Sequence, residues 1–402
     1  MTNHSFTINS LKPFLQKAWK SAEFKQPTAV QLTAIPVALE GRDVIAESPT
    51  GTGKTLAYLL PLLEKVDPEA KSIQAVVLAS SQELVMQIVE VIQKWSIESG
   101  IRAASFIGGA NVKRQLEKLK KHPHIVVGTP GRMLELIKQK KIKMHEVKNV
   151  VLDEGDQLLV PEHFDTVKGI VKSTLSDRQV VLFSATLNEY TLNLAKELTN
   201  NPEIIKIQKD VTIKAAKVNH YYFMAEQREK IKILEKISRL NPIKGLVFVK
   251  DIGNLTVLSE KLAFNGIEAS ILHSDLNKME RQKALRNFRG GQSNLLIATD
   301  VAARGLDIEG ISHVVHLDFP KEIKQYIHRS GRTGRFGASG TVISIVTERE
   351  ERDLKKFCRE MNIIPEKMTF HYGRMVEAKT KSVEKEKQKA KTINSQKHRS
   401  KK

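Results

Sequence analysis

Two short segments of this chain carry the residue types of phosphate chemistry. Glu47-Ser48-Pro49-Thr50-Gly51-Thr52-Gly53-Lys54-Thr55 follows the apolar run Val44-Ile45-Ala46 and leads into a helical pattern. In a strand, glycine loop and helix, backbone N–H groups wrap phosphate oxygens and the helix N-terminus adds a positive dipole end. Ser48, Thr50, Gly51, Thr52 and Gly53 then line the phosphates, Lys54 reaches the β- and γ-phosphates, and the Thr55 hydroxyl ligates Mg2+. The strict pattern asks for glycine at Ser48, and an ordinary glycine-rich turn is the competing reading. The second segment is Val150-Val151-Leu152-Asp153-Glu154-Gly155-Asp156. A carboxylate leaving a buried parallel strand lies at the carboxyl edge of its sheet, where ligands bind. Asp153 is placed to hold Mg2+ through its water shell, and Glu154 to orient and deprotonate an attacking water. Alone, such an acidic turn is usually only a turn; beside Lys54 it points to phosphoanhydride hydrolysis.

Positioning these groups requires buried parallel strands, and the chain supplies them. Ala75-Val76-Val77-Leu78, Ile125-Val126-Val127 and Val180-Val181-Leu182-Phe183 join the two runs above. Between them lie helical spacings such as Leu84, Ile88, Val89 and Ile92. Continuous apolar strands alternating with helices predict a parallel sheet covered on both faces. The pattern then restarts at Tyr221-Tyr222-Phe223 and continues through Leu246-Val247-Phe248-Val249, Ala269 to Leu272, Leu295-Leu296-Ile297 and His313 to Leu317. A last strand, Thr341 to Val346, precedes a charged helix from about Glu348 to Met361. Two α/β domains follow, 1–207 and 218–370, with a charged linker at 208–217 and a tail at 371–402.

Bulk composition agrees. A chain of 402 residues with 41% hydrophobic content fits two domains, each able to bury its own core. A single cysteine, Cys358, excludes an intrachain disulfide framework, and no paired Cys/His spacing marks a zinc site. The N-terminus lacks the apolar core of a signal peptide, and no apolar run is long enough for a membrane helix. A cytoplasmic protein without a membrane partner is the expectation. The net charge of +20 favours a polyanionic partner over a merely soluble basic protein. The tail carries 11 Lys/Arg against 3 Asp/Glu with few apolar residues, the composition of a disordered segment.

From Phe6 to about Val346 the chain resembles the DEAD-box RNA helicases. Its motifs occur in the family order, and the segments Ala298 to Asp307 and His328-Arg329-Ser330-Gly331-Arg332-Thr333-Gly334-Arg335 are the most specific of them. The resemblance implies two tandem RecA-like domains that close on ATP, Mg2+ and RNA. It implies that Gln31, in Phe24-Lys25-Gln26-Pro27-Thr28-Ala29-Val30-Gln31, reads the adenine edge, with Phe6 stacking on the base and Phe24 among the nucleotide-binding residues. Gly305 and Asp307 would contact the nucleotide, Asp307 through the ribose. Arg332 and Arg335 would stabilise the transferring phosphoryl group across the cleft. Gly108, Gly109, Thr129, Arg132 and Thr299 would meet the RNA backbone, while Ser184, Thr186 and His328 would couple ATP state to strand separation.

Three single positions and one segment depart from the family pattern. Gly155 stands for alanine, Glu23 for glycine and Lys278 for glutamine, and Ser80-Ser81-Gln82-Glu83-Leu84-Val85 replaces the usual Pro-Thr-Arg-Glu-Leu-Ala. The last change removes an RNA-contacting arginine. The implied function is RNA-stimulated ATP hydrolysis that unwinds short duplexes or remodels RNA–protein complexes. Small bacterial members of the family point to ribosome assembly and pre-ribosomal particles. An ATP-gated RNA clamp with slow hydrolysis and a DNA helicase of the same superfamily are the competing functions. The resemblance names neither the RNA, nor a protein partner, nor an oligomeric state.

Overall fold

Each central apolar run becomes a strand in one of two sheets. The structure is a computed structural model, which describes residues 7–24, 26–207, 218–240, 242–303, 308, 310–334 and 338–378. Phe6, Gly305, Asp307, Arg335, the expected linker 208–217 and 379–402 of the expected tail lie outside the described residues.

The first sheet contains β1 (Val44–Glu47), β2 (Ala75–Leu78), β3 (Ala103–Phe106), β4 (Ile125–Gly128), β5 (Asn149–Asp153), β6 (Gln179–Ser184) and β7 (Glu203–Lys206). Its spatial order is β3-β4-β2-β5-β6-β1-β7, and every neighbouring pair is parallel. The second holds β8 (Val218–Met224), β9 (Gly245–Val249), β10 (Ala269–Leu272), β11 (Leu295–Thr299), β12 (His313–His316), β13 (Gly340–Val346), β14 (Glu366–His371) and β15 (Arg374–Glu377). Their order is β10-β11-β9-β12-β13-β8-β14-β15, with only the β14–β15 pair antiparallel.

Successive strand residues enter opposite cores, so both must be apolar. Val150 and Leu152 join the cluster on one face of the first sheet and Val151 the cluster on the other. In the second sheet Leu246 and Phe248 face one cluster, Val247 and Val249 the other. Each fully buried Val, Leu or Ile contributes about 1.5–3 kcal/mol, which pins the strand registers and hence the strand ends that carry the polar groups.

The strands that apolar runs did not reveal are β3, β7 and β15, at sheet edges, and β14 beside β15. An edge strand has less to cover: β7 reads Glu-Ile-Ile-Lys and buries only Ile205. The β14–β15 hairpin turns through Tyr372 and Gly373, both at positive φ. It carries the second domain past the expected boundary at residue 370, so the head of the expected tail is sheet. Among the described residues no helix is long and apolar enough to cross a membrane.

Candidate active site

The carboxyl ends of β1, β6 and β5 stand side by side in the first sheet. β1 runs into the loop Ser48–Gly53 and then into the helix Lys54–Lys65. Gly51 and Gly53 adopt φ of 77° and 87°, a region that strains any residue with a Cβ. Ser48, which stands where the strict pattern has glycine, is fully buried, and its hydroxyl lies 2.7 Å from Thr52 Oγ1. Thr52 Oγ1 donates to the Pro49 carbonyl at 2.8 Å, so the two hydroxyls brace the loop from inside. Lys54 Nζ donates to the carbonyls of Ser48 and Pro49 at 2.6 and 2.9 Å, which keeps the ammonium over the loop. Thr55 is half-buried on the first helical turn.

Gln31 is buried against this loop. Its Nε2 donates to the Gly53 carbonyl at 3.1 Å, and its Oε1 accepts from the Thr28 backbone at 2.9 Å. A Cβ on Gly53 would come within 2.6 Å of that Nε2, so a side chain there would push the Gln31 amide out of its bond to the loop. The amide retains one further N–H and one lone pair. Phe24 is placed elsewhere: its ring packs on Trp19 and Trp95, with centroids 5.2 and 6.2 Å away.

Two strands along, Asp153 ends β5 and is buried. Tyr58, one turn after Lys54 and Thr55, donates its hydroxyl to Asp153 Oδ2 at 2.8 Å. The Glu154 backbone donates to Oδ1 at 2.9 Å. Burial and the neighbouring Glu154 push the Asp153 carboxyl up to about 6, against the Tyr58 bond and the charge of Lys54. Two acidic groups with a shortage of positive charge fit a hard divalent cation. Among the described residues no three His, Cys, Asp or Glu side chains gather to hold a metal on their own. One hydroxyl and one carboxylate is the sparse donor set that Mg2+ shares with phosphates and water.

Glu154 is a non-glycine residue at φ 55°, so the backbone turns sharply and lifts its carboxylate off the strand line. Ser80 Oγ hydrogen-bonds Glu154 Oε2. Arg332 of the second domain brings a guanidinium nitrogen to 3.9 Å from Oε1. Asp156 binds the hydroxyls of Ser184 and Thr186 at 2.6 and 3.0 Å, and His328 Nε2 of the second domain stands 2.9 Å from its Oδ2. Burial would raise this carboxyl, but His328 and the two hydroxyls outweigh it and hold the group at about 2. Thr50 reaches across as well, with Oγ1 3.4 Å from the Gly331 carbonyl. Thus the loop and the acidic turn each touch the segment 328–332, and Ser184 and Thr186 connect to it through Asp156.

Residues 28–194 match the family described as DEAD/DEAH box helicase, and residues 229–337 match the helicase conserved C-terminal domain. A probable ATP-dependent RNA helicase, YfmL of Bacillus subtilis, is 54% identical over 92% of this chain and 97% of its own. The DEAD-box ATP-dependent RNA helicase CshC of Bacillus cereus is 49% identical over 94% and 97%. The chain belongs to the DEAD-box helicase family. Among solved structures, S. cerevisiae Dbp5 bound to RNA and ADP BeF3 superimposes with a TM-score of 0.81 at 33% identity, covering 89% of this chain and 94% of that one.

The other half of the first sheet's carboxyl edge carries further segments of the DEAD-box pattern. β3, β4 and β2 lie on the far side of β5 from β1. Gly108-Gly109 follows β3, and the amide of Gln115 clamps their loop through the Ile107 backbone and the Ala110 carbonyl. Arg132, from the helix Pro130–Lys138 that Thr129 precedes, donates to the same Ala110 carbonyl at 3.3 Å and pairs with Glu135 at 2.9 Å. Gln82, exposed at the start of the helix Gln82–Trp95, faces Gly109. Thr299 ends β11 in the second domain, buried, next to Asp300. Arg329 grips Asp300 with two 2.6 Å bonds, fastening this strand end to the helix Ile323–Ser330. Arg281 crosses the cleft to Glu83 at 2.8 Å.

Sequence reading did not single out Tyr58, Ser80, Gln115 or the Arg281–Glu83 pair. Tyr58 alone carried a signal: it is the one polar-tipped side chain in Leu56-Ala57-Tyr58-Leu59-Leu60, one turn from Lys54. Gly155 has a local reason to differ from alanine, because a Cβ there would lie 2.6 Å from Leu182 Cδ2.

Proposed function

We propose that this protein is an RNA-stimulated ATPase that locally unwinds or remodels RNA by closing its two domains on ATP and a single strand. The observation that supports this best is the meeting of Glu154 and Arg332 across the cleft, beside the Ser48–Thr55 loop. ATP binds on the loop, with Lys54 against the β- and γ-phosphates and Gln31 and Thr28 at its adenine end. Mg2+, held by Thr55 and Asp153, supplies charge neutralisation on the phosphate oxygens. Glu154 accepts a proton from water as the water oxygen bonds to the γ-phosphorus and the bond to the β-phosphate oxygen breaks. ADP and phosphate are the products. Arg332, and Arg335 beyond the described residues, stabilise the spreading negative charge.

RNA lies along Gly108, Gly109, Thr129 and Arg132 of the first domain and Thr299 of the second. Bridging both domains, it favours the closed form in which Arg332 reaches Glu154, so RNA and ATP bind cooperatively. The basic tail adds phosphate contacts without sequence choice, and the setting is cytoplasmic.

Steady-state ATPase with no nucleic acid, with single-stranded RNA and with single-stranded DNA tests the reading. Turnover is expected to rise with RNA and not with DNA. Lys54→Ala should abolish productive ATP binding, and Glu154→Gln should bind ATP and RNA yet stall. Equal rates with and without RNA would replace the helicase reading by that of an ATP-gated clamp.

A further inference from the structure

β2 and β5 are neighbours with Leu78 opposite Leu152, so Ser80 and Glu154, each two residues on, leave the sheet together. The Ser80 hydroxyl hydrogen-bonds Glu154 Oε2, and Oε1 is the oxygen that faces Arg332. Ser80 is half-buried, and the Glu154 side chain is 21% exposed. Ser81 next to it accepts from the Leu84 backbone at 3.1 Å and caps the helix that carries Gln82 and Glu83. Gln82 faces the Gly109 loop, and Glu83 pairs with Arg281 of the second domain.

This bond therefore lies on the line that divides the two halves of the sheet edge. On one side stand β1, β6 and β5 with the nucleotide residues; on the other stand β2, β4 and β3 with the strand-facing loops. We propose that Ser80 is a positioning residue for Glu154, fixing the carboxylate so that Oε1 addresses the cleft and tying its placement to the RNA-facing turn Ser80-Ser81-Gln82. The proposal rests on the reading of Glu154 as the base. A proline at this position, usual in the resembled segment, has no hydroxyl to donate, so the bond belongs to this chain's own sequence. When RNA draws on the turn, the Ser80 hydroxyl carries the adjustment to the carboxylate. No proton is transferred through Ser80; it donates one hydrogen bond throughout.

Ser80→Ala, Ser80→Thr and Glu154→Gln separate this role from a structural one. Ser80→Ala should lower RNA-saturated kcat about tenfold, the scale of one hydrogen bond to a charged group. KM for ATP and the Kd of a non-hydrolysable ATP analogue should stay unchanged, since the bond orients a base and binds no phosphate. The ratio of RNA-saturated to RNA-free turnover should fall, and Ser80→Thr, which keeps the hydroxyl, should recover most of the rate. A wild-type kcat in Ser80→Ala with an inactive Glu154→Gln overturns the role of Ser80 and leaves the base assignment standing. A Glu154→Gln enzyme at wild-type rate overturns the base assignment itself. A Ser80→Ala defect that extends to analogue affinity, or that Ser80→Thr shares, reduces Ser80 to a loop-packing residue.

Discussion

His328 Nε2, from the second domain, stands 2.9 Å from Oδ2 of Asp156 in the first. The same carboxylate holds Ser184, the last residue of β6, and Thr186 beyond it, so the histidine reaches the start of the phosphate loop through Asp156 and Ser184. Ser48 itself donates its backbone N–H to the Ser184 carbonyl at 3.0 Å. His328→Ala should reduce RNA-stimulated turnover roughly 10- to 100-fold, the range for losing a hydrogen bond to a charged group. Nucleotide affinity in the absence of RNA should change little. An ATPase titration with single-stranded RNA, beside analogue binding without it, measures both.

Asp156 also predicts a pH dependence. Its carboxyl lies at about 2 when folded against 3.8 for an ordinary aspartate. A depressed carboxyl contributes stability that is complete above pH 4 and is lost as pH falls toward 2. Asp156→Asn should therefore remove about 2 kcal/mol of pH-dependent stability across that window. Denaturant unfolding of both proteins between pH 5 and pH 2.5 checks it; parallel curves would show that the carboxyl is not held down.

Gly331 packs against Thr50 across the cleft. A Cβ there would lie 2.1 Å from Thr50 Oγ1 and 3.1 Å from Thr50 Cβ. Gly331→Ala should hold the domains apart and weaken the cooperativity of ATP analogue and RNA by about tenfold, within the 1–3 kcal/mol range of overpacking. Thr50→Gly in the same protein should restore part of it. Binding of a fluorescent single strand with and without the analogue gives the coupling directly.

Gln82 faces the Gly109 loop where the resembled segment carries an arginine. An amide can bond a phosphate oxygen yet releases no counterion. Gln82→Arg should tighten single-stranded RNA and steepen log K against log salt by about 0.7, one added contact. Turnover need not rise, because slower release of RNA limits it. Equilibrium binding across a salt series reads the slope, and an unchanged slope would place Gln82 off the RNA path.

Gly155→Ala should destabilise the first domain by about 1–3 kcal/mol, because the new methyl would meet Leu182 Cδ2 at 2.6 Å and Cγ at 2.8 Å in a filled core. Leu182→Val beside it should relieve most of the cost. Thermal unfolding of the single and double variants tests the pair, and additive losses would show that the two side chains do not compete.

Much of this protein was written locally. The loop Ser48–Thr55 and the turn Asp153–Glu154 carry their chemistry in contiguous residues, and the central strands announce themselves because both faces must be apolar. The arginine-bearing segment 328–335 is equally compact in sequence. The tertiary structure decided what depends on register and on sheet position. Strands β7, β14 and β15 escaped because each buries at most one residue, too little to enforce an apolar run, and β3 because its run Ala-Ala-Ser-Phe is broken by a serine. Gln31, legible only through the family pattern, proved to be buried against Gly53, a contact between helix and loop that no spacing encodes. Tyr58 meets Asp153 because a helix and a strand 95 residues apart pack side by side. Ser80 meets Glu154 because Leu78 pairs with Leu152, and that pairing is set by the cores on both faces of the sheet rather than by either segment alone.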